Sequence, residues 1–292
     1  MWLSFAFLSA LLLGFYDVFK KLSLKDNAVI PVLFINTLLC ALFFLPVCFR
    51  TGGELPLAFH GCVAMKSAIV LSSWICGYFA IKHLPLTIVG PVNATRPVMV
   101  LLGALLVFGE RLNLWQWGGV VLAILSFFLL SLSGRREGIR FSHNRWIGLL
   151  VLAAVLGAVS GLYDKFLMAA PSAGGLGLDR LAVQGWYNVY QALMMAVVFS
   201  LMWMPRRAST PFRWRWSIVF ISLFLTAADM SYFYALSLPG AMISVVSLVR
   251  RSSVLASFLF GALVLHEKNL RAKAFDLLLV LLGMVLLYVG TR

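Results

Sequence analysis

Charge is what this chain has least of. Charged residues are 12% of its 292 positions, and acids are scarcest, with 10 Asp and Glu against 24 Lys and Arg. Hydrophobic residues make up 62%, and mean hydropathy is +0.97. A soluble domain exposes a large face to water and cannot hide that much apolar surface. Cysteine and histidine are also few, at four each. Cys40, Cys48, Cys62 and Cys76 have no CxxC or Cys/His ligand spacing and read as small packing residues. His60, His83, His143 and His266 fall at or near expected connections, so no metal site and no cofactor are expected. Alternating polar and apolar positions are missing too, which excludes a membrane β-barrel.

What is present is a series of apolar runs of about 20 residues, the length that crosses roughly 30 Å of hydrocarbon as a helix. Polar punctuation divides them into ten spans: 2–20, 28–49, 64–82, 86–108, 115–133, 146–168, 182–204, 215–236, 241–265 and 273–290. The fold class is an all-α integral membrane protein. The first run has no basic leader and no small-residue cleavage site, so it reads as an uncleaved span. The net charge of +14 fits basic loops that orient a membrane protein. No soluble nucleic-acid-binding domain is visible, so nucleic acid is not an expected partner. Trp2, Trp115, Trp117, Trp146, Trp203, Trp214 and Trp216 fall near span ends, as an interfacial belt requires.

Short stretches recur. GFYDVF at 14–19 matches GLYDKF at 161–166, YFAIKHLP at 78–85 matches YFYALSLP at 232–239, and GALLVFGERLN near 103–113 resembles GALVLHEKN at 261–269. Three matches in one order indicate a duplication. The expected organisation is a five-span repeat over 1–133, a basic connecting loop over 134–145, and a second repeat over 146–292. A tandem copy of an odd number of spans enters the membrane upside down, so the repeats are inverted. Folds of that kind place substrate near the midplane, where the halves meet.

Two adjacent arginines interrupt the ninth run. Arg250 lies eleven residues after Pro239, and Arg96 lies eleven after the matched Pro85. At 1.5 Å per residue each is roughly 16 Å from its proline, about half the bilayer. With Arg251, three arginines lie near mid-depth. Each costs about 2.5–3.5 kcal/mol at a helix centre, so three facing lipid cost roughly 8–10 kcal/mol. They require counter-ions or a polar cavity: an internal ion-pair network is one reading, an anion-binding site the other. Asp229, ten residues before Pro239, reaches similar depth if spans 8 and 9 form a hairpin, and is the expected partner of Arg250 or Arg251. The position equivalent to Asp229 in the first half is Ile75, so Arg96 has no acid at matching depth in its own hairpin. Three cations against one acid suit phosphate or carboxylate, whose oxygens accept the parallel hydrogen bonds of a guanidinium.

Span 4 reads GPVNATRPV at 90–98. Pro91 and Pro97 kink a helix and free carbonyls, and Asn93 adds an amide beside Arg96. Tyr78 and Tyr232, matched by the repeat, line the site or pack beneath it. Asp17 has Lys20 and Lys21 within one turn, whereas Asp164, its repeat counterpart, has no such basic pair.

Ten spans in two halves, with GERLN after span 4 and HEKN in the second copy, resemble the drug/metabolite transporter superfamily, EamA type. Within it, the arginines are similar to those of the plastid sugar-phosphate translocators, which hold phosphate with a basic residue on span 4 and a Lys-Arg pair on span 9. The resemblance implies substrate-binding roles for Arg96 and for Arg250–Arg251, with Arg in place of the first Lys. Many EamA members carry an arginine early in span 2; LFINT, with Asn36, stands there instead.

The expected function is therefore a secondary transporter of a small organic anion, phosphorylated and either free or lipid-linked, working by alternating access in a bacterial inner membrane. An exporter of amino acids or other carboxylates is the alternative. A lipid-processing membrane enzyme would need a nucleophile–base pair or a metal cluster, and the sequence offers neither. The family habit puts both termini in the cytoplasm. The charges argue the reverse: fifteen Lys and Arg lie in the odd-numbered connections and six on the opposite side.

Overall fold

A chain inside hydrocarbon must satisfy every backbone N–H and C=O internally, and the apolar runs do so as α-helices. The computed structural model describes residues 2–51, 55–96, 98–100, 102–103, 113–135, 144–168, 171, 174–237, 249–250, 252–264 and 270–290. Arg251, Pro97, Pro239, Glu110, Glu267 and His266 lie outside them. Ten α-helices are found among the described residues: α1 (Trp2–Leu24), α2 (Val29–Thr51), α3 (His60–His83), α4 (Leu86–Ala94), α5 (Leu114–Arg135), α6 (Arg145–Met168), α7 (Arg180–Val198), α8 (Ser217–Ser237), α9 (Ser253–Leu263) and α10 (Leu270–Val289).

Eight of these lie within a few residues of the expected spans; α4 ends at Ala94 where the span was expected to run to 108, and α9 begins at Ser253 where it was expected from 241, much of each remainder lying outside the described residues. α1 runs a turn further than expected because Lys20 and Lys21 do not end it. Lys20 is buried, and the Lys21 ammonium donates to the carbonyls of Ile81 and Leu84, both at 2.6 Å. α7 begins where Asp179 caps it, its carboxylate accepting from the Ala182 N–H at 2.9 Å. It ends in a π-helical turn over Phe199–Trp203.

Packing between the halves is reciprocal. α1 lies along α8, and α6 along α3. α2 meets α8 as α7 meets α3, α1 meets α9 as α6 meets α4, and the pairs α2–α7, α4–α9 and α5–α10 close the set. Each of the first five helices thus packs against helices of the second five. α1 and α9 approach so closely that a Cβ on Gly14 would lie 2.3 Å from that of Ala256.

The largest apolar cluster draws on both halves: Tyr16, Leu71, Tyr78, Ile81 and Ile88 from one, Ile147, Leu150, Met195, Ile218 and Ile221 from the other. The outer surface is also apolar, with Phe15, Phe128, Leu193, Leu259 and Leu282 all exposed. Five helices are long and apolar enough to cross a bilayer, and further apolar helices are shorter. The chain is an integral membrane protein, and lipid tails are the solvent that such a surface requires.

Candidate functional site

Asp229 lies in the second half of α8, and Tyr232 follows one turn later on the same face. Arg250 occupies a helical turn ahead of α9. Its Nη2 donates to Asp229 Oδ1, and its guanidinium lies over the Tyr232 ring, 4.4 Å from the centroid. The other Asp229 oxygen accepts from Gln184 Nε2 of α7 at 3.5 Å. Three of the expected residues, Asp229, Tyr232 and Arg250, thus form one group. The Arg250 side chain keeps 21% of its surface exposed and Asp229 keeps 17%, so the pair is not sealed off.

Arg96 is held differently. α4 closes at Thr95, whose N–H and hydroxyl both donate to the Val92 carbonyl, at 3.2 and 2.7 Å. The Thr95 carbonyl then accepts from Val98 N–H at 3.0 Å, an i→i+3 bond that tightens the turn. The Arg96 guanidinium rests on the bare backbone of α6 at Gly157, where a Cβ would stand 2.9 Å from Cζ. Nη2 has one long contact, 3.5 Å to the Ala153 carbonyl. Nε is buried with no partner, and so is Asn93 Oδ1, three residues earlier. No carboxylate among the described residues lies within ion-pair distance of Arg96.

The same backbone device recurs beside Arg250. Ser252 N–H donates to the Val249 carbonyl at 3.0 Å, and α9 resumes at Ser253. The 154-residue offset that aligns Tyr78 with Tyr232 also carries the Val98–Thr95 bond onto the Ser252–Val249 bond. Both arginines therefore sit at breaks in their helices. Irregular backbone at this depth is tolerated where it is covered by protein or lines a cavity.

Two further ion pairs lie in the interior. Lys20 Nζ binds Asp17 Oδ1 at 2.7 Å, with the Tyr16 and Tyr78 ring centroids 4.3 and 5.3 Å from the ammonium. Tyr78 itself is 1% exposed and packs as part of the core. Asp164, which has no basic neighbour in sequence, is paired across helices: Lys66 Nζ of α3 reaches its Oδ1 at 2.5 Å and lies 4.9 Å from the Tyr187 ring centroid. Each added pair brings one charge of each sign, so the cationic balance is unchanged.

Sequence reasoning missed a polar stripe on α7: Gln184, Tyr187, Asn188 and Gln191. Their spacing of i, i+3, i+4 and i+7 is one helical face and was legible. Gln191 is fully buried, with neither amide atom partnered. Nearby on α2, Asn36 Oδ1 accepts from Ser222 Oγ at 3.0 Å, while its Nδ2 is unpartnered. Also unforeseen were Lys273 and Asp276 of α10, both buried. Lys273 Nζ donates to Thr87 Oγ1 at 2.9 Å, and Asp276 Oδ2 has no partner. All four cysteines are free thiols. Among the described residues no group of three or more His, Cys, Asp or Glu is placed to hold a metal ion.

Comparison with known proteins fits this architecture. Residues 1–132 match the model of the EamA-like transporter family. An uncharacterized transporter of Archaeoglobus fulgidus is 25% identical over 284 residues, covering 95% of each chain. A crystal structure of 15% identity superposes with a TM-score of 0.62 over 100% of this chain and 98% of its own, a likeness of fold alone. The described residues form an all-helical membrane protein that resembles the EamA-like transporter family over its first 132 residues.

Proposed function

We propose that the chain carries a small organic anion, phosphorylated and either free or lipid-linked, by alternating access between two inverted halves. One observation carries the reading: Arg96 is an interior cation with no carboxylate at bonding distance, an unpartnered Nε, and a helix break beside it. Lys20, Lys66 and Arg250 each have an acid, and Lys273 has the Thr87 hydroxyl; Arg96 is the interior cation we assign to a substrate. A guanidinium donates paired hydrogen bonds that fit phosphate or carboxylate oxygens. Arg250, partly exposed at the equivalent break, offers a second donor, and Arg251 is assigned to the same anion. Asn93, Tyr78, Tyr232 and Asp229 complete the proposed site as orienting and packing groups. The location we assign is a bacterial inner membrane, since helical proteins span that bilayer whereas barrels span the outer one.

The test is uptake into liposomes containing the purified protein, with panels of phosphorylated and carboxylated metabolites. Phosphorylated compounds should be transported and should compete with one another. Arg96→Ala should lose at least about tenfold in affinity, the worth of one charged hydrogen bond, while Arg96→Lys keeps part of it. A folded Arg96→Ala protein that transports as the parent does would remove the basis of the proposal. Preference for the carboxylates would favour the amino-acid exporter.

A further inference from the structure

The connection between α7 and α8 is a rigid platform of arginine and tryptophan with no role in the site above. It contains no acid from Met204 to Trp216. Arg206, Arg207 and Arg213 are exposed, and no ion pair among the described residues engages them. Trp214 and Trp216 are 52% and 72% exposed beside them.

The platform is held in place from both ends. Asn27, after α1, grips Arg213 by its backbone: the amide donates to the Arg213 carbonyl at 2.8 Å and accepts from the Arg213 N–H at 3.0 Å. Arg215 donates to the Leu22 carbonyl at 2.9 Å. At the other end, the Ser209 and Thr210 hydroxyls close a turn onto the Arg206 carbonyl, both at 3.0 Å. Trp203 Nε1 donates to the Thr210 carbonyl at 3.1 Å, and its ring stacks on Phe199, 5.0 Å between centroids. The arginine backbones are thereby fixed while their guanidiniums stay free. Asp26, next to Asn27 in sequence, is exposed and has Lys25 beside it.

A loop that only marked topology would need charge, with no fixed geometry and no exposed indoles. Here two indoles stand where α8 enters the membrane, the depth at which tryptophan settles among headgroups. Guanidiniums within reach of that layer meet lipid phosphates, and fork geometry suits their oxygens. We infer that the α7–α8 connection is a binding site for the headgroups of anionic phospholipids in the leaflet it faces. The inference does not depend on what the transporter carries.

The test uses the full-length protein in detergent, titrated with phosphatidylglycerol or phosphatidylcholine while thermal unfolding and lipid binding are followed. Phosphatidylglycerol should raise the melting temperature of the parent protein more than phosphatidylcholine does. In the Arg206→Gln/Arg207→Gln/Arg213→Gln variant that preference should disappear, with phosphatidylglycerol affinity lower by about a hundredfold, each arginine near the surface contributing roughly fivefold. If the triple variant does not fold, Arg206→Gln/Arg207→Gln gives the same reading at about twenty-five-fold. Equal effects of the two lipids on the parent overturn the inference, and so does a folded variant that keeps the preference. Soluble glycerol phosphate separates lipid from free anion: a stabilisation by it that vanishes with the arginines would make this a free-phosphate site instead.

Discussion

Asp229 has Arg250 on one oxygen, Gln184 on the other, and the Tyr232 ring next to its cationic partner. The pair accounts for one of the two adjacent arginines in an apolar run: Arg250 neutralises an interior acid. Neutralising Asp229 while keeping its shape would leave Arg250 charged, desolvated and unpaired. Breaking a buried pair from one side costs roughly 3 kcal/mol or more, reduced here because both groups retain some exposure. Asp229→Asn should therefore melt several degrees below the parent in anion-free buffer. It should then gain more from added substrate anion than the parent does, since ligand binding to the folded state stabilises it in proportion to affinity. Melting curves with and without the anion measure both effects. An unchanged melting temperature in both conditions would mean that Arg250 does not depend on Asp229.

At the level of elements, the existence of ten helices was legible because hydropathy alone specifies it, as were their approximate limits outside spans 4 and 9. Short matched stretches align Arg96 with Arg250. Hydropathy does not report pairing across helices, which is why the acid for Lys66 went unseen: Asp164 is distant in sequence and on another helix. The burial of Lys273 and Asp276 was hidden for a similar reason. Both stand near the start of a span, where charges are ordinarily read as interfacial, yet α10 packs against α4 and α5. The cradle for Arg96 was equally invisible, since Gly157 in an apolar run reads as a small packing residue. The geometry supplies a test at this scale. A methyl at Gly157 would meet the Arg96 guanidinium, the flexible end of a long side chain, so the guanidinium should shift while the helices stay packed. Gly157→Ala should weaken anion binding about tenfold with a melting temperature close to the parent's. A large fall in stability with affinity intact would make Gly157 a helix-packing position and nothing more.

At the scale of the whole molecule, the connections after α1, α3 and α7 meet on one face. Lys21 reaches the carbonyls of Ile81 and Leu84, Lys82 reaches that of Asn27, and Asn27 in turn grips Arg213. By sequence, the odd-numbered connections hold fifteen of the 24 Lys and Arg, and the even-numbered ones with the C-terminus hold six. Short basic loops are retained on the cytoplasmic side, so the charge bias puts this face inside and both termini outside. A cytoplasmic leaflet rich in anionic lipid is also where the Arg206–Arg207–Arg213 platform would find its ligand, because its negative surface potential attracts cationic segments. Family habit predicts the reverse. Fusing a reporter active only outside the cytoplasm to the C-terminus, and in a second fusion one that fluoresces only inside, decides between them. The external reporter should be active and the internal one dark. Substituting Arg206, Arg207 and Arg213 by Gln should shift part of the population toward the opposite insertion, since those charges contribute to the bias. A bright internal reporter on the parent chain would mean that the basic face lies outside, and the lipids it meets would then be those of the outer leaflet.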